Sequence, residues 1–434
     1  MFRVAKPVEA DRQQAQGGAS PFNRKAQHDA KRAAILAEAA RLFNGKGSRA
    51  TTLHDVARGL GLTKTSLYYY VRTKEELIFQ CYEASLQRQH ALFDTLDAQP
   101  ISPLERAEGF FKGQFDMWLR VHNREGTPAA ALLEIASLKA DRRSQIEDAY
   151  IQMFKRLRGY LREAIAEGQI RTREATATTR AIIGAVDWVF YWLDQVEPAS
   201  VAETGDVAWQ ILLQGLRSEG SPYTPEPIDP PTLLEKPGQG FDREEQNRQK
   251  QEAFYKAGTW FFNKKGFNGA SLDEIAEHLN VSKGAFYYHI KNKEDLLYAC
   301  YERSLAITRG IHQKVSGNAG NGLQKIDETA RRIFFAQNSE AGPLIRYNTI
   351  TALPPVRRRV ILDETERNNS QFDAFFQQGI RDGTIRDVNP FLARSLLTGA
   401  INAAMDISLW RRVDDLNEVA VDYFDIFING LLPR

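Results

Sequence analysis

Along most of this chain apolar residues recur three and four positions apart, the period of a helix that buries one face. Between Ala26 and Phe43 the stripe is Ala30, Ala33, Ala34, Ala37 and Leu42, interleaved with Lys31, Arg32 and Arg41. Longer runs of the same kind cover Pro103 to Val121, Asp141 to Glu167 and Thr178 to Leu193, then Val356 to Arg381 and Pro390 to Trp410. Gly168 and Gly383 stand where helices should stop, because glycine takes the left-handed cap conformation at little cost. No segment alternates convincingly with period two. The pattern predicts an all-α protein with roughly nine helices in each half.

Two shorter patterns stand out. Thr51 to Leu62 carries Leu53, Val56, Ala57 and Leu60 inward and breaks at Gly61, after which Thr63 caps a second short helix over Lys64 to Val71. Ser271 to Leu279, a turn at Asn280 and a helix over Lys283 to Ile290 repeat the arrangement. Asn serves at the turn because it tolerates left-handed dihedrals. A short helix, a tight turn and another short helix form the helix-turn-helix arrangement, whose second helix enters the DNA major groove.

The repetition extends well beyond these helices. Sliding the chain by 219 residues places Leu42–Leu86 over Phe261–Leu305 without a gap, with identity at Phe43, Asn44, Gly47, Leu53, Ala57, Leu60, Lys64, Tyr68, Tyr69, Lys74, Glu75, Leu77, Cys81, Tyr82 and Glu83. At a shift of 215, Gly168-Gln-Ile-Arg171 echoes Gly383-Thr-Ile-Arg386, and Gln214-Gly-Leu216 echoes Asn429-Gly-Leu431. One whole domain is therefore present twice. Between the copies, Ser218 to Phe241 holds 6 of the 17 prolines, which predicts a semi-rigid tether rather than a packed element. The expected divisions are an arm at 1–22, a helix-turn-helix module at 23–80, a C-terminal domain at 81–217, the linker at 218–241, a second module at 242–299 and a second C-terminal domain at 300–434.

At 434 residues the chain exceeds what one core can hold, in agreement with two units. Its net charge is only +2, so any basic surface has to be local. From Arg24 to Lys74 eleven basic residues stand against three acidic ones, a local +8; from Arg243 to Lys293 nine stand against six, a local +3. A basic segment in a nearly neutral chain is what phosphate contact requires, and copy one is the more self-sufficient binder. Cys81 and Cys300 are the only cysteines, which speaks against a disulfide scaffold, fits a reducing cytoplasm and suits two small buried residues. The first twenty residues lack the apolar core of a secretion signal, and no run is long enough to span a membrane. Gly45-Lys-Gly47 lacks phosphate-loop spacing, no Cys/His cluster has zinc spacing and the histidines form no dyad, so the sequence points to no enzyme, metal or cofactor.

The stretches TTLHDVARGLGLTKTSLYYYVRTKEELI and ASLDEIAEHLNVSKGAFYYHIKNKEDLL resemble the DNA-binding region of the tetracycline-repressor (TetR) family of bacterial transcriptional regulators. The resemblance implies two tandem TetR-like domains, each a three-helix helix-turn-helix module followed by a helical bundle for ligand binding and dimerisation. It assigns Tyr68 and Tyr287 to the DNA backbone, and Lys74 and Lys293 to phosphate. From the residues themselves, Thr52 and Ser271 sit at helix N-termini that favour phosphate. Base reading falls on Lys64, Thr65, Ser66, Tyr69 and Tyr70, and in copy two on Lys283, Gly284, Ala285, Tyr288 and His289, while Leu67 and Val71 face inward.

The family usually works as a homodimer of single-domain chains; here both subunits lie in one chain. Thr178–Leu193 and Val201–Leu216 are expected to pair with Pro390–Trp410 and Asn417–Leu431, either within one chain as a pseudo-dimer or between chains as a homodimer. The C-terminal aromatic stripes are core by ordinary expectation, yet the family's pocket lies among these helices. Phe115, Trp118, His122, Trp188 and Trp192 in copy one, with Phe334, Tyr347, Phe376, Asn402 and Asp406 in copy two, are the candidates for an apolar or aromatic small-molecule effector. The reading is a cytoplasmic, ligand-responsive repressor on a double-stranded DNA operator. The residues leave one alternative open: a small-molecule sensor or scaffold in which one helix-turn-helix copy no longer binds DNA.

Overall fold

A computed structural model of the chain describes residues 21–228 and 243–434 except 49, 133, 134, 136, 137, 340, 341, 406, 408 and 409. Of the arm expected at 1–22, residues 1–20 lie outside the described residues, as does the linker from 229 to 241, while Pro21 and Phe22 already belong to the first helix. Copy one runs α1 (Pro21–Lys46), α2 (Leu53–Gly59), α3 (Lys64–Tyr68), α4 (Lys74–Asp97), α5 (Pro103–His122), α6 (Ala140–Ala166), α7 (Ala175–Asp187), α8 (Val189–Trp192) and α9 (Val201–Gln214). Copy two runs α10 (Arg243–Gly269), α11 (Leu272–His278), α12 (Lys283–His289), α13 (Lys293–Gly317), α14 (Gly322–Asn338), α15 (Pro355–Asn369), α16 (Gln371–Arg381), α17 (Pro390–Ala403) and α18 (Leu416–Asn429). The fold is all-α; among the described residues the only β pairing is an isolated bridge between Arg217 and Ile385.

Local chemistry sets the helix ends. Thr52, Thr63, Thr73 and Ser102 cap α2 to α5, each accepting from a backbone amide in the first turn. Gly61 and Asn280 take the left-handed conformation, φ 64° and 53°, at the two helix-turn-helix corners. Several expected helices are shorter than their patterns. Val356–Arg381 is two helices, because Asn368 and Ser370 turn their side chains to carbonyls: Asn368 Nδ2 donates to Leu305 O at 3.1 Å and Ser370 Oγ to Arg367 O at 2.9 Å. The Thr178–Leu193 run breaks at Trp188, whose ring stacks on Tyr191 at 4.3 Å and meets Tyr347 of the other copy edge-on at 5.1 Å. The Pro390–Trp410 run ends at Ala403, and the Lys64–Val71 run at Tyr68.

The two copies pack on each other through α7 and α9 against α17 and α18. Small residues allow α7 and α17 to approach closely: a Cβ on Gly184 would lie 2.4 Å from the Ala403 Cβ, and one on Gly399 2.6 Å from the Gly184 carbonyl oxygen. At the far end the duplicated landmarks meet. Arg171 N donates to Leu431 O at 2.9 Å, and Arg386 N to Leu216 O at 2.9 Å. The Arg171 guanidinium donates to Gly430 O at 2.8 Å, and that of Arg386 to Gly215 O at 2.6 Å. Each bond recurs with the copies exchanged, which is the signature of a two-fold, self-complementary interface.

The first part of the linker departs from the expected unpacked tether. Ile228 is buried, its amide and carbonyl both paired with the Asn417 side chain at 2.9 and 3.2 Å. Arg331 donates to Glu226 O at 2.8 Å. Proline leaves carbonyls free to accept, and copy two supplies the donors.

Candidate nucleic-acid interface

In copy one, Leu67 and Val71 are buried and lock α3 on its neighbours. Lys64, Thr65, Ser66, Tyr68 and Tyr69 consequently stand on the exposed side, with Tyr69 76% exposed. Lys64 Nζ lies 5.6 Å from the Tyr68 ring centroid, so cation and phenol share one patch. Copy two matches it: Phe286 and Ile290 are buried, Tyr287 is exposed and Tyr288 is 82% exposed. Gly284 and Ala285 are exposed but bring almost no side chain.

Four expectations need adjustment. Tyr70 and His289 are half-buried rather than free on the exposed side: Tyr70 packs on His28 of α1 at 4.8 Å, and His289 on Phe254 of α10 at 5.6 Å. They anchor the reading helix to the first helix of its copy. Lys74 and Lys293 are also half-buried, donating to Ser48 O at 3.1 Å and Ala270 O at 2.9 Å, so they position the loop before α2 and α11 as well as carrying charge. The Thr52 hydroxyl and amide are committed to Asp55 at 2.8 and 2.9 Å in a capping box, which puts a carboxylate at that terminus. Ser271 makes no side-chain cap, and Glu274, the counterpart of Asp55, does not complete a capping box but pairs with Lys265 at 2.8 Å.

The sequence reading also missed Asp273. Its carboxylate accepts from Lys283 Nζ at 2.5 Å and from the Tyr287 hydroxyl at 3.2 Å, engaging two of the copy-two groups expected to contact DNA. The Lys283 hydrogen bond holds the Asp273 carboxyl below the ordinary carboxylate range. The counterpart in copy one is His54, so the difference was visible in the 219-residue alignment.

The candidate effector residues scatter. Phe115 and Trp118 are buried, and His122 is exposed with its ring stacked on Trp118 at 5.0 Å. Trp188 and Trp192 lie where the copies meet, Trp192 5.8 Å from Phe391. Phe334 and Phe376 are core. Tyr347 and Asn402 line a cavity in copy two. Asp406 lies outside the described residues. Cys81 and Cys300 are buried, each thiol donating to a carbonyl of its copy's first helix, and burial pushes both up to about 12.

Comparison with known proteins agrees with this geometry. The pattern described as "Bacterial regulatory proteins, tetR family" matches residues 35–81 and again 255–300, and the "Tetracyclin repressor-like, C-terminal domain" matches 115–216. The HTH-type transcriptional repressor KstR2 of Mycobacterium tuberculosis is 29% identical over 195 residues, 45% of this chain and 96% of the relative. The Transposon Tn10 TetC protein of Escherichia coli is 52% identical over 44 residues, 10% of this chain and 22% of the relative. The structure of the ketosteroid transcriptional regulator KstR2 of Mycobacterium tuberculosis shares 27% identity, covering 41% of this chain and 89% of that one, with a TM-score of 0.35. With two copies of the DNA-binding unit in one sequence and relatives of the same kind, the chain belongs to the TetR family of bacterial regulatory proteins.

Proposed function

We propose that this protein is a ligand-responsive transcriptional repressor that reads two unequal half-sites of one operator with a single chain. The observation that carries the reading is the reciprocal junction of Arg171, Gly215, Arg386 and Gly430, which pairs the copies as two subunits would be paired. Two reading helices held in this way stand about 34–36 Å apart in the simplest case, one turn of DNA. The relative's description as a repressor supports repression as the direction of regulation. The reading residues are Lys64, Thr65, Ser66 and Tyr69 in head one and Lys283, Gly284, Ala285 and Tyr288 in head two, with Tyr68 and Tyr287 on the backbone. Lys74 and Lys293 hold each module and add charge toward phosphate. Since the two sets differ, exchanging residues 64–70 with 283–289 reverses the preferred orientation of the operator. Cleavage of the operator by an iron chelate tethered beside head one measures the orientation, and a gel shift on DNA upstream of the gene tests binding itself; no binding to any upstream fragment contradicts the reading.

Asp273 makes the heads unequal in strength as well as in sequence. Its carboxylate neutralises Lys283 and adds negative charge at the DNA-facing side. Asp273→Asn is therefore expected to strengthen operator binding by roughly tenfold at low salt and less at high salt. Quantitative gel shifts at two salt concentrations check this; unchanged affinity at low salt would leave head two off the DNA, as in the sensor or scaffold alternative.

A further inference from the structure

The two copies differ most in what fills the space below the DNA-binding modules. Under the 219-residue shift, Phe93, Phe110 and Trp118 of copy one correspond to His312, Thr329 and Gln337 of copy two. Under the 215-residue shift, Met153, Phe154 and Ile183 correspond to Asn368, Asn369 and Thr398. Copy one uses these residues as core: Phe93 and Phe110 are buried and stack at 4.8 Å, and Trp118, Met153 and Phe154 are buried with them. The replacements in copy two are buried as well, His312 1% and Gln337 7% exposed, except Asn369, which is half-buried. His312 Nδ1, Thr329 Oγ1 and Gln337 Oε1 have no hydrogen-bond partner. A buried polar atom left without a partner is costly, and two of these, on His312 and Gln337, line one cavity and call for a partner there.

A cavity of about 80 Å³ lies between α13, α14, α15 and α17, and His312, Gln337, Asn368, Thr398 and Asn402 line it together with apolar walls such as Ile333. That is room for several waters or for a small ring bearing one polar group. Among the described residues none that lines it is charged. Burial lowers His312 to about 4, so at neutral pH its imidazole offers one donor and one acceptor and no charge. An anion entering here would lose its hydration without gaining a counter-charge.

We infer that each chain carries one effector site, in copy two alone, built for an uncharged small molecule that brings hydrogen-bonding groups to His312 and Gln337 within apolar walls. The inference rests on the regulator reading above and gives its effector a place, a charge and a stoichiometry. The site is wired to head two. Leu344, Ile345 and Tyr347 form one wall, and Asn263 of α10 donates to Leu344 O at 2.8 Å while accepting from Arg346 N at 2.9 Å. A molecule that displaces this wall moves the first helix of the second reading module, which is the differential contact that coupling to DNA requires.

Methionines report on the two copies separately. Met405 lines the cavity, and Met153 holds the copy-one position equivalent to Asn368. In the full chain labelled with carbon-13 at the methionine methyls, benzamide is expected to shift the Met405 signal and leave that of Met153 in place. Benzoate, which adds charge, and toluene, which lacks the polar group, should bind at least about tenfold more weakly. His312→Phe with Gln337→Trp, the copy-one residues, should abolish the Met405 response. The milder Gln337→Leu should weaken benzamide by about tenfold and spare toluene. A Met153 shift equal to that of Met405, a Met405 signal that no probe moves, or a preference for benzoate would overturn the inference. Operator binding by the probe-free sample is scored separately: its loss would strike the regulator reading, while the Met405 response would still decide the site.

Discussion

Alanine at Gly215 or Gly430 is expected to lower the melting temperature by roughly 10 °C, although each change adds one methyl group. Both glycines have φ 71° with ψ near 180°, a region other residues enter at about 1–3 kcal/mol. Each also faces the other copy at backbone distance. A Cβ on Gly215 would lie 2.4 Å from Gly430 N, and one on Gly430 2.3 Å from the Gln214 carbonyl carbon, neither of which can move aside as a side chain tip would. Strain and clash together come to on the order of 4 kcal/mol. Gly168 and Gly383 supply the control, since they have φ 70° and 76° but open space where the Cβ would go. Alanine there should cost only the strain, about 1–2 kcal/mol. Thermal unfolding of the four variants measures the difference; equal losses would mean that contact between the copies adds nothing to the stability of the chain.

Removing the phenols assigned to the DNA backbone should produce the largest functional effect, and the two heads should not contribute equally. Tyr68→Ala is expected to weaken operator binding more than Tyr287→Ala, because head one lies in the segment with local charge +8 and its lysine has no carboxylate on it, whereas Tyr287 and Lys283 already bond Asp273. Each lost phosphate hydrogen bond is worth about 0.5–1.5 kcal/mol, and the pair removed together should cost on the order of a hundredfold once ring packing is counted. Lys64→Ala, at a reading position, should weaken the preferred operator more than unrelated sequences and so reduce discrimination between them. Lys74→Ala should weaken every sequence alike, make the salt dependence shallower by about one unit and also lower thermal stability, because it releases the Ser48 carbonyl. Filter binding across a salt series separates these outcomes; identical effects at Tyr68 and Tyr287 would remove the asymmetry argued for the heads.

What could be read in advance followed from periodicity and repetition. Leu67 and Val71, four apart, set the orientation of α3, and from that the exposed Tyr68 and Tyr69 follow without further information. The Gly-x-Ile-Arg and Gly-Leu echoes marked a duplicated feature, but nothing local to either stretch says that Arg171 reaches Gly430 more than 250 positions away. Helix ends were least legible where side chains compete with the backbone, as at Ser370, or where an aromatic meets the other copy, as at Trp188. Asp273 escaped attention for a related reason: a residue in the first turn of a short helix reads as a helix-favouring acid until α12 brings Lys283 onto it. Most candidate effector residues were chosen by aromatic content, beside the isolated polar His122, Asn402 and Asp406, and the aromatics other than Tyr347 proved to be mainly the filling. The cavity was marked instead by the polar residues that replace them, a signal available from aligning the copies at Phe93 with His312 and Trp118 with Gln337.

The central claim is that one chain serves as both subunits, and counting chains on the DNA tests it most directly. Multi-angle light scattering on the complex with the shortest operator that retains full affinity gives the number. The account predicts the mass of the DNA plus one chain of 49.1 kDa, on a site whose half-sites are related but unequal. Two chains on that fragment, with a perfect palindrome as the preferred sequence, would contradict it.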